Sequence, residues 1–305
     1  MTIVTYEKGD NLLYTLRAGK APFHDIMQFM TVALTEHNNL NDKKREYFFR
    51  LSLKLREALR LHKEAGLWAR VGNAERDWGN VTEHCLVEVA RVGVLADMLG
   101  LSHEMRDKLL RAAALHDVHK KTEKDMMNKA ATNGGSVWTA YDEAASISTQ
   151  NLHDVGIDPV TVRLAGAAGH GVLHEVEHML DAPELSEEDI AFLALHYIDD
   201  ITMGTDWVAP AQVREDGTLQ NALDFKMGEG NEGRIKPGST YDLLNQAGSD
   251  HFGGDTTWRH ELVVGRRVEE KLASLINAQT PQLSIDPMRL PEIIDNGIRD
   301  AIDKI

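Results

Sequence analysis

The 305-residue sequence predicts an all-α fold, and three observations support that prediction. Apolar residues recur at three- and four-residue intervals rather than every second residue. The segments that show this spacing begin at capping residues and end at glycines. There is no convincing strand alternation, internal repeat or low-complexity tract.

Residues 23–66 read as helices. Asn41-Asp42 precedes a stretch from Lys43 to Ala65 with apolar residues at Tyr47, Phe48, Leu51, Leu53, Leu55, Leu59 and Leu61, and Gly66 stops it. Asn80-Val81-Thr82 starts a helix that runs to about Leu99 and is closed by Gly100. Ser102 is an N-cap for the next, Arg106 to His116. Gly134-Gly135 breaks the pattern before a helix from Val137 to His153. Asp158-Pro159 opens another, Val160 to Ala168. Ser186-Glu187-Glu188-Asp189 is a helix start with acids in the first turn, where the backbone dipole favours them, and this helix reaches about Thr202. Residues 204–257 hold Gly217, Gly228, Gly230, Gly233, Gly238, Gly248, Gly253 and Gly254 with few sustained apolar repeats, and read as an irregular excursion or lid. A last helical pair follows, Arg259 to Ala278 and Leu290 to Asp303.

Composition narrows the function. Hydrophobic residues make up 42% of the chain, enough for a substantial core. Lys and Arg total 33 against 48 Asp and Glu, a net charge of −15. Such a chain is a poor non-specific binder of nucleic acid or anionic membrane. A small anion responds to the local field instead. Cys85 is the single cysteine, which excludes an intramolecular disulfide and a Cys-rich zinc site. No run of about 18 apolar residues exists to span a membrane. Met1–Asp10 lacks a signal pattern, so a cytoplasmic location is expected.

The candidate chemistry centres on histidine. Three His-Asp dipeptides occur, His24-Asp25, His116-Asp117 and His153-Asp154. The middle one closes the apolar run Leu109 to Leu115 and is followed by Lys120, Lys121 and Lys124. A buried imidazole beside a buried carboxylate needs a partner, and a metal supplies one. His84 opens the apolar helix carrying Leu86, Val87, Val89, Ala90, Val92 and Val94, and Asp199 ends another. Two imidazoles and two carboxylates suit a divalent Mn, Fe, Co, Ni or Mg ion. The plain alternative is that His84 and Asp199 are ordinary partly buried residues. His174-Glu175-Val176-Glu177-His178 matches the zinc-protease pattern H-E-x-x-H, but Glu177 charges a position that normally packs, and no Gly-x-x-His follows. Trp138 and Trp207 are better read as packing than as stacking for a base, and Cys85 as packing rather than a reactive thiol.

The order His84, His116-Asp117, Asp199 resembles the HD superfamily of metal-dependent phosphohydrolases. The stretch Asn80-Val81-Thr82-Glu83-His84-Cys85-Leu86 is similar to the entry motif of its bacterial 5′-deoxyribonucleotidases. The segment Leu152 to Thr202 more resembles HD nucleotide hydrolases with a His in the position of His170 and a metal Asp where Asp199 stands. The resemblance covers about residues 68–205 and implies an HD-domain helical bundle there. Residues 1–67 would be an N-terminal helical segment packing on this core, and 206–305 a Gly-rich lid or insertion plus C-terminal helices.

By the resemblance His84, His116, Asp117 and Asp199 are metal ligands, with Asp200 the rival for the last place. The substrate would be a phosphate ester, a nucleotide or similar small molecule, with no nucleic acid duplex and no membrane as partner. A homo-oligomer stays open. Asp117, Lys120 and His170 would carry the catalysis, with Lys121, Arg70 and Arg76 binding phosphate. Two departures stand out. Lys120 occupies a position that is acidic in the deoxyribonucleotidase branch. Glu143 and His170 stand where two-metal members use extra histidines, so they hold a weaker second ion, or His170 acts as an acid or phosphate contact. His196 is a second-layer support for a ligand or a plain core histidine. Two other functions compete: a di-iron oxygenase of the same fold, and a non-catalytic nucleotide-binding sensor.

Overall fold

The apolar stripes of the sequence become helices around one core. The computed structural model describes residues 42–67, 78–228 and 235–305. The expected helices before residue 42 lie outside the described residues, as do Arg70 and Arg76. The fold is all-α, with two strands of two residues each as the exception among the described residues.

Helices α1 (Asp42–Lys54) and α2 (Arg56–Glu64) replace the single helix expected from Lys43 to Ala65. The break falls at Leu55, whose backbone leaves the helical region (φ −108°, ψ 14°) while its side chain stays in the core. Neither Gly nor Pro stands there, so packing sets the bend and the sequence carries no sign of it.

Helix α3 (Gly79–Met98) is buried nearly all round: Cys85, Leu86, Val87, Val89, Ala90, Val92, Leu95 and Ala96 are shut off from solvent. A helix apolar on every face belongs in the centre. Gly100 closes it at φ 62°, the left-handed conformation that glycine takes without strain. Helix α4 (His103–Leu115) begins as expected at Ser102, whose hydroxyl accepts the Met105 N–H at 3.2 Å. It packs along α3.

Helix α5 (Lys120–Thr132) was not foreseen, because only Lys124 and Met127 are buried along it and its apolar signal is weak. Helix α6 (Val137–Asp154) starts at the Ser136 cap. Helix α7 (Pro159–Ala165) is shorter than expected, since residues 166–168 tighten into a 3₁₀ turn, followed by a second at His170–Val172. Helix α8 (Leu173–Asp181) leads to α9 (Glu187–Ile201), which opens with a capping box between Ser186 and Asp189.

The segment expected to be irregular is partly ordered. It holds an antiparallel pair, β1 (Gln212–Val213) and β2 (Leu219–Gln220), with Gln212 opposite Gln220. Two short helices follow, α10 (Ala222–Met227) and α11 (Thr240–Ala247). The chain ends with α12 (Thr257–Gln279) and α13 (Leu290–Asp303), close to the bounds read from the sequence.

Helix α9 is the hub, touching α3, α4, α7 and α12. Helix α13 packs on α3 and α1, so close that a Cβ on Gly297 would sit 2.6 Å from Val94 Cγ1. One apolar cluster runs from Phe48 to Ile302 through all of these helices. Inside it Arg91 is fully buried and paired with Asp295 of α13 (Nε to Oδ1 2.9 Å, Nη2 to Oδ2 3.1 Å). The same guanidinium donates to Thr202 Oγ1 and the Asp206 carbonyl, joining α3, α13 and the exit of α9. No helix among the described residues is long and apolar enough to cross a membrane.

Candidate metal centre

Three packed helices bring the centre together. His84 and Glu88 lie one turn apart on α3 and therefore share a face. His116 directly follows α4, Asp117 comes next, and Asp199 sits in the last turn of α9. The His84 and His116 rings meet edge to face, 5.5 Å between centroids.

Backbone acceptors orient both imidazoles. His84 Nδ1–H donates to the Gly204 carbonyl at 2.9 Å, and His116 Nδ1–H to the Ala113 carbonyl at 2.8 Å. Each ring is left with Nε2 as the nitrogen that a metal ion would take in place of a proton. His116 Nε2 is buried with no hydrogen-bond partner. One ligand atom from each of His84, Glu88, His116 and Asp199 lies within 4.8 Å of the others, so the group can hold a metal ion.

Glu88 was not among the residues expected at the centre. It is fully buried, with Oε1 2.9 Å from His84 Nε2 and Oε2 3.4 Å from His116 Nδ1. A signal was readable: a glutamate four residues after His84 on an otherwise apolar helix face has to meet something charged. Asp117 stands at the edge of the group, its Oδ2 3.9 Å from His116 Nε2 and its Oδ1 3.2 Å from Lys120 Nζ. Asp199, 3.7 Å from His84 Nε2, is the member facing the centre. Its rival Asp200 points the other way, to His196.

The electrostatics suit cation binding. Burial opposes charge on His84, but Glu88 and Asp199 outweigh it and push the imidazole up to about 10. His116 is raised in the same way against its burial, chiefly by Glu88. Burial acts upward on Asp117, yet Lys120 and the two histidines bring its carboxyl down to about 2. Asp199 is held well below the ordinary carboxylate range, its burial overridden by Lys226 and His84. A site that draws protons onto two imidazoles attracts other cations for the same reason.

The centre opens into a cavity of about 670 Å³. Lys120, Lys226 and Lys236 line it, with Tyr141, Tyr241 and Trp258 as aromatic walls. Lys226, on α10, donates to the Asp199 backbone carbonyl and lies 3.4 Å from its Oδ1. The glycine-rich segment thus supplies part of the wall, including two lysines whose spacing in the sequence carried no site signal.

Other expected residues fall in different places. His170 lines the cavity, with its backbone N–H on Tyr141 Oη at 2.8 Å and its Nδ1 on Glu261 Oε1 at 2.9 Å. Glu143 is exposed and outside the cavity, which corrects the expectation that it joins His170 at a second ion: on α6 its face is turned to solvent. Lys121 does not line the cavity either; its Nζ lies beside Gly66. His174 and His178 are both exposed on α8, away from the cavity lining. Trp138 stacks on His251 at 4.2 Å, and Trp207 lies under Arg299 at 4.3 Å, so both act in packing. Cys85 is buried, as expected of a packing residue.

No protein-family model matches the chain, and no curated protein or solved structure is significantly similar to it.

Proposed function

We propose that this protein is a divalent-metal-dependent phosphohydrolase of the HD type, acting on a phosphate ester of a nucleotide or similar small molecule. The observation that carries this reading is the pair of imidazoles, each fixed through Nδ1 by a backbone carbonyl, with Nε2 turned toward carboxylates at the end of a lysine-lined cavity. His84, His116 and Asp199 would hold the ion, with Asp117 and Glu88 completing or supporting the set. A bound divalent ion there would supply an activated water and neutralise phosphate charge.

The chain's own groups do the rest. Lys120 pairs with Asp117 and Lys226 with Asp199, and both line the cavity with Lys236, so a phosphate entering it meets positive charge. Asp117, held ionised by Lys120 and the two histidines, is close to His116 and placed to orient a water. Burial acts downward on the His170 imidazole but Glu261 raises it, and the residue lines the same cavity, where it can hydrogen-bond or protonate a departing oxygen. The apolar wall formed by Leu152, Val162 and Ala165 leaves room for the organic part of the ester.

The test is metal content and phosphate release together. Purified without chelator, the wild type should bind divalent metal and release phosphate from nucleotide monophosphates with Mn, Co, Ni or Mg. His116→Ala should lose both. Metal retained in His116→Ala at the wild-type level would overturn the assignment of the centre. Tight nucleotide binding without turnover would favour the sensor reading. Oxygen consumption with two irons would favour the oxygenase.

A further inference from the structure

A second buried cluster lies behind His170. His196 and Asp200 are one turn apart on α9, Glu261 faces them from α12, and each is about 1% exposed. His196 Nδ1–H donates to the Ala167 carbonyl at 2.9 Å, so its Nε2 is a bare lone pair. That Nε2 has no hydrogen-bond partner and lies 3.5 Å from Asp200 Oδ2, which has none either. Asp200 also meets the Glu261 carboxylate, whose Oε2 is a third buried atom without a partner.

Asp200 meets Glu261 and the His196 Nε2 lone pair faces Asp200; away from water these groups call for positive charge, part of which Lys226 and His170 supply from the cavity side. The orientation of His196 by a backbone carbonyl repeats the device that fixes His84 and His116. Gly265 of α12 leaves the space open, since a Cβ there would lie 3.1 Å from Asp200 Oδ2. Glu261 Oε1 is already engaged by His170, and Lys226 lies against Asp199.

We propose that His196, Asp200 and Glu261 form a second cation site, separate from the centre at His84 and His116, which takes one divalent ion such as Mn²⁺. One neutral imidazole and two carboxylates match the charge and the borderline-to-hard character of such an ion. His170 lines the cavity and bonds Glu261, so it links the cluster to the cavity. The site replaces the second-ion position expected at Glu143, and it does not depend on the hydrolase reading.

Equilibrium dialysis of the full chain against Mn²⁺ tests it. Wild type should bind about two ions per chain and His116→Ala about one. Glu261→Gln, close in shape and remote in sequence from Asp199, should also bind about one, and the double variant none. Asp200→Asn should repeat the Glu261→Gln result from the other helix, with helix content unchanged by circular dichroism. One ion in wild type, abolished by His116→Ala, would mean that Asp200 and Glu261 share only a proton, and would overturn the proposal. Two ions retained in both Glu261→Gln and Asp200→Asn would overturn it as well. Phosphate release is scored separately, so failure of the hydrolase reading leaves this result distinct.

Discussion

Removing Asp295 should destabilise the protein and loosen the metal centre at the same time. Arg91 has no exposed surface, and Asp295 is its bidentate partner. Asp295→Ala strands a buried guanidinium, which costs about 3–5 kcal/mol. Asp295 Oδ2 also accepts the Val208 N–H at 2.7 Å, and losing that bond adds about 1 kcal/mol. The sum, about 5 kcal/mol, is a third or more of a typical domain's stability of roughly 5–15 kcal/mol. At about 2–4 °C per kcal/mol it lowers the melting temperature by roughly 10 °C or more. Arg91 also holds Thr202 and the Asp206 carbonyl, and these flank Gly204, whose carbonyl orients His84. Metal affinity should therefore fall about 10-fold, as for loss of other supports behind a ligand. The assay is urea denaturation of the metal-free chain, then metal titration at a temperature where the variant is folded. Arg91→Met/Asp295→Leu removes both charges and should recover most of the lost stability. A loss under about 1 kcal/mol in Asp295→Ala, or a double variant as unstable as the sum of the singles, would refute the reasoning.

Two further outcomes follow from buried groups. His62 is shut in between α2, α3 and α4, with Nε2–H on the Ala114 carbonyl at 2.6 Å and Nδ1 accepting from Thr82 at 3.0 Å, and burial lowers its pKa from 6.5 to about 4. The unfolded chain therefore binds a proton that the folded chain refuses between pH 6.5 and 4. Stability should be complete above pH 6.5 and fall as pH drops through that window, by about 3 kcal/mol in all. Urea midpoints across pH 4–7 check this, and His62→Gln should flatten the slope. Gly297→Ala would drive a Cβ into Val94, costing about 1–3 kcal/mol, and Val94→Ala in the same chain should relieve part of it, as read from paired denaturation curves.

Much of the fold was legible because helices announce themselves locally. The caps at Ser102 and Ser186 and the spans of α3, α4, α9, α12 and α13 rest on spacing and end residues within one segment. What failed to show depended on distant partners. The bend at Leu55 follows from where its side chain packs. Helix α5 gave little apolar signal because it buries only Lys124 and Met127.

The site divides along the same line. His84, His116-Asp117 and Asp199 could be chosen from the sequence because polar residues on otherwise apolar helices call for partners, and their order carries the resemblance. Glu88 carried a local signal in its spacing from His84, and the packing of α4 supplied its second partner, His116. Lys226 comes from beyond the β1–β2 hairpin, and only the packing of α10 near α9 places it on Asp199. Glu143 and Lys121 were candidates by position along the chain, yet helix rotation turned them away from the cavity. The sequence by itself determined most of the long helical segments and the residue types able to bind a cation. Tertiary structure alone decided which of those groups converge, because lone pairs and charges interact over a few ångströms whatever their separation in the chain.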